Sequence, residues 1–145
     1  MSNHSARGQD WAVFLLRLGI GATFIMHGYP KLFPSGPGGF ASFLQNLGFP
    51  GPLFFAYVVS LVEFAGGIAM ILGLFVRYVG VLMVVEMLVT SVRVKMPRGV
   101  GFISPKGTGW ELDFLLLIIA FALVLLGSGA ISLDAAVMSR RRRMA

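Results

Sequence analysis

The sequence predicts an all-α protein, an integral membrane four-helix bundle with a short interfacial amphipathic helix in its first outer loop. The chain has 145 residues, of which 57% are hydrophobic and 12% charged, well beyond the apolar content of a soluble domain. Its apolar residues fall into four long runs separated by turn-rich or charged breaks, and such runs are typical of transmembrane helices. We expect a single membrane domain over residues 1–145, with helices at about 11–28, 53–75, 78–94 and 110–127.

The first apolar run is predicted to be an uncleaved helix with Trp11 as its interfacial anchor. A signal peptide is the competing interpretation, but Arg17 inside the run and the lack of a small-residue cleavage site argue against it. The segment PSGPGG then forces a loop. In residues 40–47, apolar side chains recur at helical spacing opposite polar ones, which predicts the short interfacial helix.

The second apolar run carries Glu63 near its middle, where an ionised carboxylate costs at least a few kcal/mol unless it is paired. Ala56, Ser60 and Gly67 share its helix face, and small residues allow close helix approach. Arg17 lies on a first-helix stripe with two glycines, so we expect Arg17 and Glu63 to lie within salt-bridge reach. The pair is either a structural lock or the floor of a pocket, with Arg17 donating to an oxygen and Glu63 moving a proton.

The third run presents a second polar stripe of Glu86, Thr90 and Arg93. With two acids and one arginine expected near the middle of the membrane, one carboxylate lacks a full partner. Glu86 either completes the pocket or bonds to Thr90 or Arg93, and Arg93 has the length to reach the interface.

Charge outside the runs predicts the topology. The cluster at residues 140–143 directly follows an apolar run, and Arg77 lies in a tight connection, so we expect both termini in the cytoplasm and the tail on membrane lipids, not on nucleic acid. On the outer side we expect a positive rim facing acidic residues at the start of the fourth helix; the rim comprises His27, Lys31, Arg93 and Lys95, and the acids are Glu111 and Asp113.

Composition also limits the chemistry. Cysteine is absent and there are two histidines, which excludes disulfides, thiol catalysis and cysteine-ligated metal centres and argues against a bis-histidine haem within one chain. We therefore expect no metal site, and any redox role depends on a bound cofactor or a partner.

These segments resemble the DoxX family of small bacterial four-helix membrane proteins. The motifs that carry the likeness are RLGIGATFIMHGYPKL at 17–32, GFASFLQNLGFP at 39–50, VEFAGGIAMILGLFVR at 62–77, GWELDFLLL at 109–117 and SLD at 132–134. The resemblance implies a location in the bacterial inner membrane and relatives among subunits or associates of membrane oxidoreductases, notably quinone-linked sulfur oxidation and redox-stress complexes.

Polar positions of the family pattern coincide with Arg17, His27, Lys31 and Glu63. The chain departs from the pattern at Lys95, where many relatives carry histidine, and Glu86 is not part of the pattern. A ligand or proton-carrier role of that histidine in relatives therefore does not carry over to this chain.

Two functions follow as hypotheses. In the first, the bundle binds a quinone-like or other amphipathic molecule in a cavity reached from the outer leaflet and walled by Phe24, Met70 and Met83. Arg17 and Glu63 are then the candidate catalytic residues, and the candidate ligand-binding residues are Arg17, His27, Lys31, Glu63, Glu86 and Arg93. In the second, the chain is a non-enzymatic interaction protein that stabilises or recruits a partner. A homo-oligomer or a redox partner protein is expected in either case, and a transporter is disfavoured because four unbroken spans are few for alternating access.

Overall fold

The computed structural model describes residues 3–144, and within that range the chain is all-helical. Its elements, in chain order, are α1 (Asn3–Leu32), α2 (Gly36–Asn46), α3 (Pro52–Leu72), α4 (Val76–Val89), a π-helix (Thr90–Lys95), a 3-10 turn (Met96–Arg98), α5 (Glu111–Leu126) and α6 (Leu133–Met144).

The observed helices lie close to the predicted runs, with corrections at their ends. The first helix is longer than predicted, and the second stops at Leu72 instead of residue 75 because Gly73 adopts φ of 72° and caps it in the left-handed conformation. The third predicted run is α4 followed by the π-helix, which ends where Pro97 enters a 3-10 turn. The basic tail at residues 140–143 is part of α6.

Helices α1 and α3 pack antiparallel through glycine. A Cβ atom on Gly21 would lie 2.7 Å from the carbonyl oxygen of Gly67, and one on Gly28 would lie 2.8 Å from the Cβ atom of Glu63. Such distances leave no room for a side chain, so the two backbones are in direct contact. The prediction that the Gly21–Gly28 stripe faces the small-residue face of the second helix is confirmed, and these contacts fix the axial register of the pair.

The remaining packing encloses one main core. Gly80 brings α4 against α5, where its Cβ would lie 2.8 Å from a methyl group of Val124. The fully enclosed apolar side chains at the centre come from α1, α3, α4 and α5, namely Ile20, Met70, Met83 and Leu123. Buried faces therefore point inward on all four helices, while their opposite faces carry exposed large apolar side chains.

The two ends of the assembly differ. At the α6 end, the amide of Ala130 donates to the carboxylate of Asp10 over 2.9 Å, and the amide of Asp134 donates to the carbonyl of Gly73 over 3.2 Å. The beginnings of α1 and α6 thus lie at the same end. At the opposite end, called the α2 end, α2 packs on the first turns of α3 through a small cluster centred on Ala41, Leu44 and Ala56.

The short helix predicted after the first apolar run is present, but it begins earlier than expected, at Gly36 instead of residue 40. Ser35 precedes it and Pro37 occupies its first turn, a position where the missing proline N–H removes no helical hydrogen bond. Of its predicted apolar face, Leu44 is buried and Phe43 stays 36% exposed.

Among the described residues, two helices are long and apolar enough to cross a membrane, over Arg7–Leu32 and Pro52–Leu72. Helices α4 and α5 have 14 and 16 residues, about 21 and 24 Å at the helical rise. Four membrane spans therefore stay a prediction, and they form part of the proposed function.

Candidate ligand-binding cavity

A cavity of about 990 Å³ opens at the α2 end between α1, α2, α3, α4 and α5. This volume is at the upper end of the range of small-molecule sites. Its walls are mainly apolar and include Phe24, Phe55, Val59, Val62, Val89, Leu112 and Leu116. Charged residues gather in two layers, one deep and one at the mouth.

The deep layer is built on an ion pair between Lys31 and Glu63. The ammonium group of Lys31 donates to both carboxylate oxygens of Glu63, over 2.5 and 2.6 Å. The Glu63 side chain is 6% exposed and that of Lys31 is 24% exposed. The ammonium group also lies 4.6 Å from the ring centroid of Phe40, a cation–π contact that α2 supplies. Since an ammonium has three N–H groups, one remains for another acceptor.

Glu86 joins this layer from α4. Glu86 and Glu63 both line the cavity, and the Oε2 atom of Glu86 is buried without a hydrogen-bond partner in residues 3–144. A proton on either carboxyl group would let that group donate a hydrogen bond. The alternative that Glu86 bonds to Thr90 or Arg93 is not seen, although all three side chains line the cavity as their stripe predicted.

The mouth layer joins the π-helix to α5. Lys95 donates to Asp113 over 2.8 Å and to the carbonyl of Gly109 over 2.9 Å, and Ser91 donates to the second oxygen of Asp113 over 3.3 Å. Lys95 follows Glu86 by nine residues, so the two layers are about 13 Å apart along the helix axis. The expected rim of basic residues facing acidic ones is thus realised here by Lys95 and Asp113.

Two further predicted residues line the cavity without joining either ion pair. The Nδ1 atom of His27 donates to the carbonyl of Thr23 over 2.8 Å, since a carbonyl oxygen only accepts. That bond leaves Nε2 as the other polar atom of the ring. Arg93 is exposed and lies at the cavity edge.

Arg17 lies elsewhere, and the predicted Arg17–Glu63 pair is wrong. Because Gly28 contacts Glu63, Arg17, eleven residues earlier on α1, lies about 16 Å farther toward the α6 end. Lys31, one turn beyond Gly28, takes the place expected for arginine.

Arg17 instead binds the connection between α5 and α6. Its guanidinium donates to the carbonyl of Ser128 over 2.5 Å and to that of Ile131 over 2.6 Å, and it is 1% exposed. Asp134 is the nearby charge of opposite sign, and the guanidinium packs so closely on Gly73 that no side chain would fit there. These are the contacts of a structural residue that fixes the α6 end.

The predicted cavity walls are partly corrected as well. Phe24 lines the cavity, but Met70 and Met83 belong to the core beneath it. Sequence reasoning assigned no role to Ser91, and it placed Asp113 only on the rim. The usable signal for Ser91 was helical spacing, since Ser91 and Lys95 are four residues apart on one face.

Comparison with known proteins supports the family resemblance. The sequence model of the DoxX family matches residues 12–96, which include most of α1, all of α2 to α4 and the π-helix. A Bacillus subtilis (strain 168) protein named "Putative oxidoreductase CatD" is 33% identical over 128 residues, covering 88% of each chain. No solved structure matches. The chain belongs to the DoxX family of membrane proteins.

Proposed function

We propose that this protein is a four-helix membrane bundle that binds the polar head of a quinone-like amphipathic molecule and serves as a subunit or associate of a membrane oxidoreductase. The observation that carries the proposal is the cavity of about 990 Å³ with apolar walls and a buried charged layer at its base. Ligand sites combine apolar walls with a few placed polar groups in this way.

The deep layer suits an oxygen-bearing ring. Lys31 has an N–H group left after its two bonds to Glu63, which fits a carbonyl oxygen. Glu86 has a buried oxygen without a partner in the described residues, which fits a hydroxyl group or accepts a proton. A bound quinone would supply the electron-carrying chemistry, while these residues bind its head, orient it and hold a proton at the Glu63–Glu86 pair.

The membrane arrangement has support on all four helices. Beyond the two long apolar helices, α4 and α5 expose large apolar side chains on their outer faces, among them Val81, Leu88, Ile118 and Phe121. A soluble protein would expose so many only at an interface. The π-helix continues α4 to Lys95, so this element has 20 residues in all and reaches about 30 Å. We propose four spans in the bacterial inner membrane, with the α6 end and both termini in the cytoplasm.

The link to oxidoreductases rests on the Bacillus subtilis relative, whose name contains that activity. The described residues include no group of three or more side chains with the chemistry to hold a metal ion. The proposal therefore gives this chain the part of ligand binding and proton handling, with the electrons passing between the ligand and a partner enzyme.

Titration of the purified protein with a soluble quinone analogue tests the proposal. Wild type is expected to bind, and Glu63→Gln is expected to bind about tenfold more weakly, because it removes the charge that orients Lys31. Glu111→Gln makes the same carboxyl-to-amide change at a residue that does not line the cavity, so it is the matched control and should bind like wild type.

Equal affinity of wild type and Glu63→Gln, or no binding by either, would reject the proposal. An absorbance spectrum and a lipid extract of the purified protein give an independent reading. A stoichiometric quinone in the extract supports the proposal, whereas a clean extract with a stoichiometric partner protein favours the interaction protein instead.

A further inference from the structure

The two sides of the cavity differ in the side chains that they expose. On the α1 and α5 side the wall is formed by buried apolar side chains, with Phe24 2% exposed and Leu116 7% exposed, and the lining side chain exposed on α1 there is the polar His27. On the opposite side, several apolar side chains line the cavity and are also exposed at the outer surface. They are Phe55 and Val58 on α3 and Leu82, Val85 and Val89 on α4, with exposed fractions from 37% to 53%.

These five residues lie on the edges of two neighbouring helices. Phe55 and Val58 are three residues apart on α3, and Leu82, Val85 and Val89 are spaced by three and four residues on α4, so each set forms one stripe. Gly66 of α3 contacts Val79 and Met83 of α4, so the two helices meet at the level below the cavity. The exposed stripes above that contact therefore border a gap between α3 and α4.

The α2 end of the cavity, by contrast, is bridged by polar contacts. The guanidinium of Arg98 lies 5.6 Å from the ring centroid of Phe43, which connects the 3-10 turn to α2. Lys95 joins the π-helix to Asp113 and to Gly109. A molecule entering from that end would have to pass two charged groups, whereas the five side chains that border the gap between α3 and α4 are apolar, and the exposed Arg93 lies one turn beyond Val89 at the cavity edge.

We propose that the ligand enters through this gap. Its polar ring then binds at the Lys31–Glu63–Glu86 layer, and its apolar tail leaves the protein between α3 and α4 into the bilayer. The inference rests on the function proposed above and specifies its ligand class: a lipid-soluble molecule with a long apolar tail. Glu86 directly follows Val85 on α4, so the ring-binding layer adjoins the gap, and a tail has a direct apolar path from the ring to lipid.

The test compares a tailed and a tailless probe, decylubiquinone and duroquinone, on the full protein in lipid nanodiscs. The variants Val58→Trp and Val85→Trp place an indole in the gap. The matched controls are Leu61→Trp and Val81→Trp, since Leu61 and Val81 are 51% and 49% exposed on the same helices but do not line the cavity.

For the gap variants we expect about tenfold weaker binding of decylubiquinone and unchanged binding of duroquinone, while the controls bind both probes like wild type. Circular dichroism of every variant shows whether it is folded. Decylubiquinone binding to folded Val58→Trp and Val85→Trp as tight as to wild type would overturn the lateral route. If wild type binds neither probe, the proposed function itself fails, so the two failures are distinguishable.

Discussion

The ion pair between Lys31 and Glu63 allows a quantitative prediction for Lys31→Met. The substitution keeps an unbranched apolar stem and removes the ammonium, leaving Glu63 and Glu86 together without a cation. Breaking a buried pair by removing one partner costs about 3 to 5 kcal/mol. Since the Lys31 side chain is 24% exposed and that of Glu63 is 6% exposed, we expect a loss near the lower limit, about 3 kcal/mol in the free energy of unfolding.

The double variant Lys31→Met with Glu63→Gln isolates the electrostatic part. The amide of the introduced glutamine is neutral and can donate to Glu86, so the double variant should unfold within about 1 kcal/mol of wild type. Lys106→Met is the matched control, because Lys106 is exposed in the loop before α5 and its side chain forms no ion pair in the described residues. It should change the unfolding free energy by less than about 0.5 kcal/mol.

Denaturant unfolding in detergent micelles, followed by circular dichroism, measures all of these variants. The reasoning is refuted if Lys31→Met unfolds within about 0.5 kcal/mol of wild type. It is also refuted if the double variant loses the sum of the two single losses, because additive losses mean that the residues do not interact.

Further predictions concern the α6 end, the glycine interface and the topology. Arg17→Met should lower the unfolding free energy by about 3 kcal/mol, since two buried carbonyls lose a charged donor, yet leave quinone affinity unchanged in titration; a selective loss of affinity would return Arg17 to the binding site. Gly21→Ala should destabilise by about 1 to 3 kcal/mol in the same unfolding assay, whereas Gly19→Ala, with open space around it, should be neutral or stabilising by up to about 1 kcal/mol. Single cysteines at positions 4 and 142 should both react with a membrane-impermeant label from the cytoplasmic side only, and labelling from opposite sides would contradict the topology.

The sequence allowed the helix faces to be predicted, because a period of about 3.6 residues fixes which side chains share a face. Glu63, Ser60 and Gly67 were expected to point inward together and are buried together. Periodicity does not determine the axial position of one helix relative to another. The stripe that Arg17 shares with two glycines led us to expect Arg17 near Glu63, but the register is set by Gly21 and Gly28 against α3.

The packing of α2 explains why the axial register of α1 against α3 was predicted wrongly. Helix α1 ends at Leu32, only four residues beyond Gly28, whereas α3 begins eleven residues before Glu63. The first turns of α3 therefore extend past the end of α1, and α2 packs against them there. An apolar run does not show that part of its length packs against a short helix from the preceding loop. The ends of α1 and α3 therefore could not be aligned from the sequence.

The corrected register separates the buried charges by role. The near neighbours of Arg17 are typical of a structural residue: two backbone carbonyls, a close glycine and Asp134. Lys31 and Glu63 instead border a large cavity, beside a carboxyl group that has an unpaired oxygen. The glycine contacts already hold α1 against α3, and a buried ion pair adds little stability over an apolar pair of equal volume. Packing therefore does not account for the Lys31–Glu63–Glu86 layer, and this is the physical reason for proposing that the layer binds a ligand.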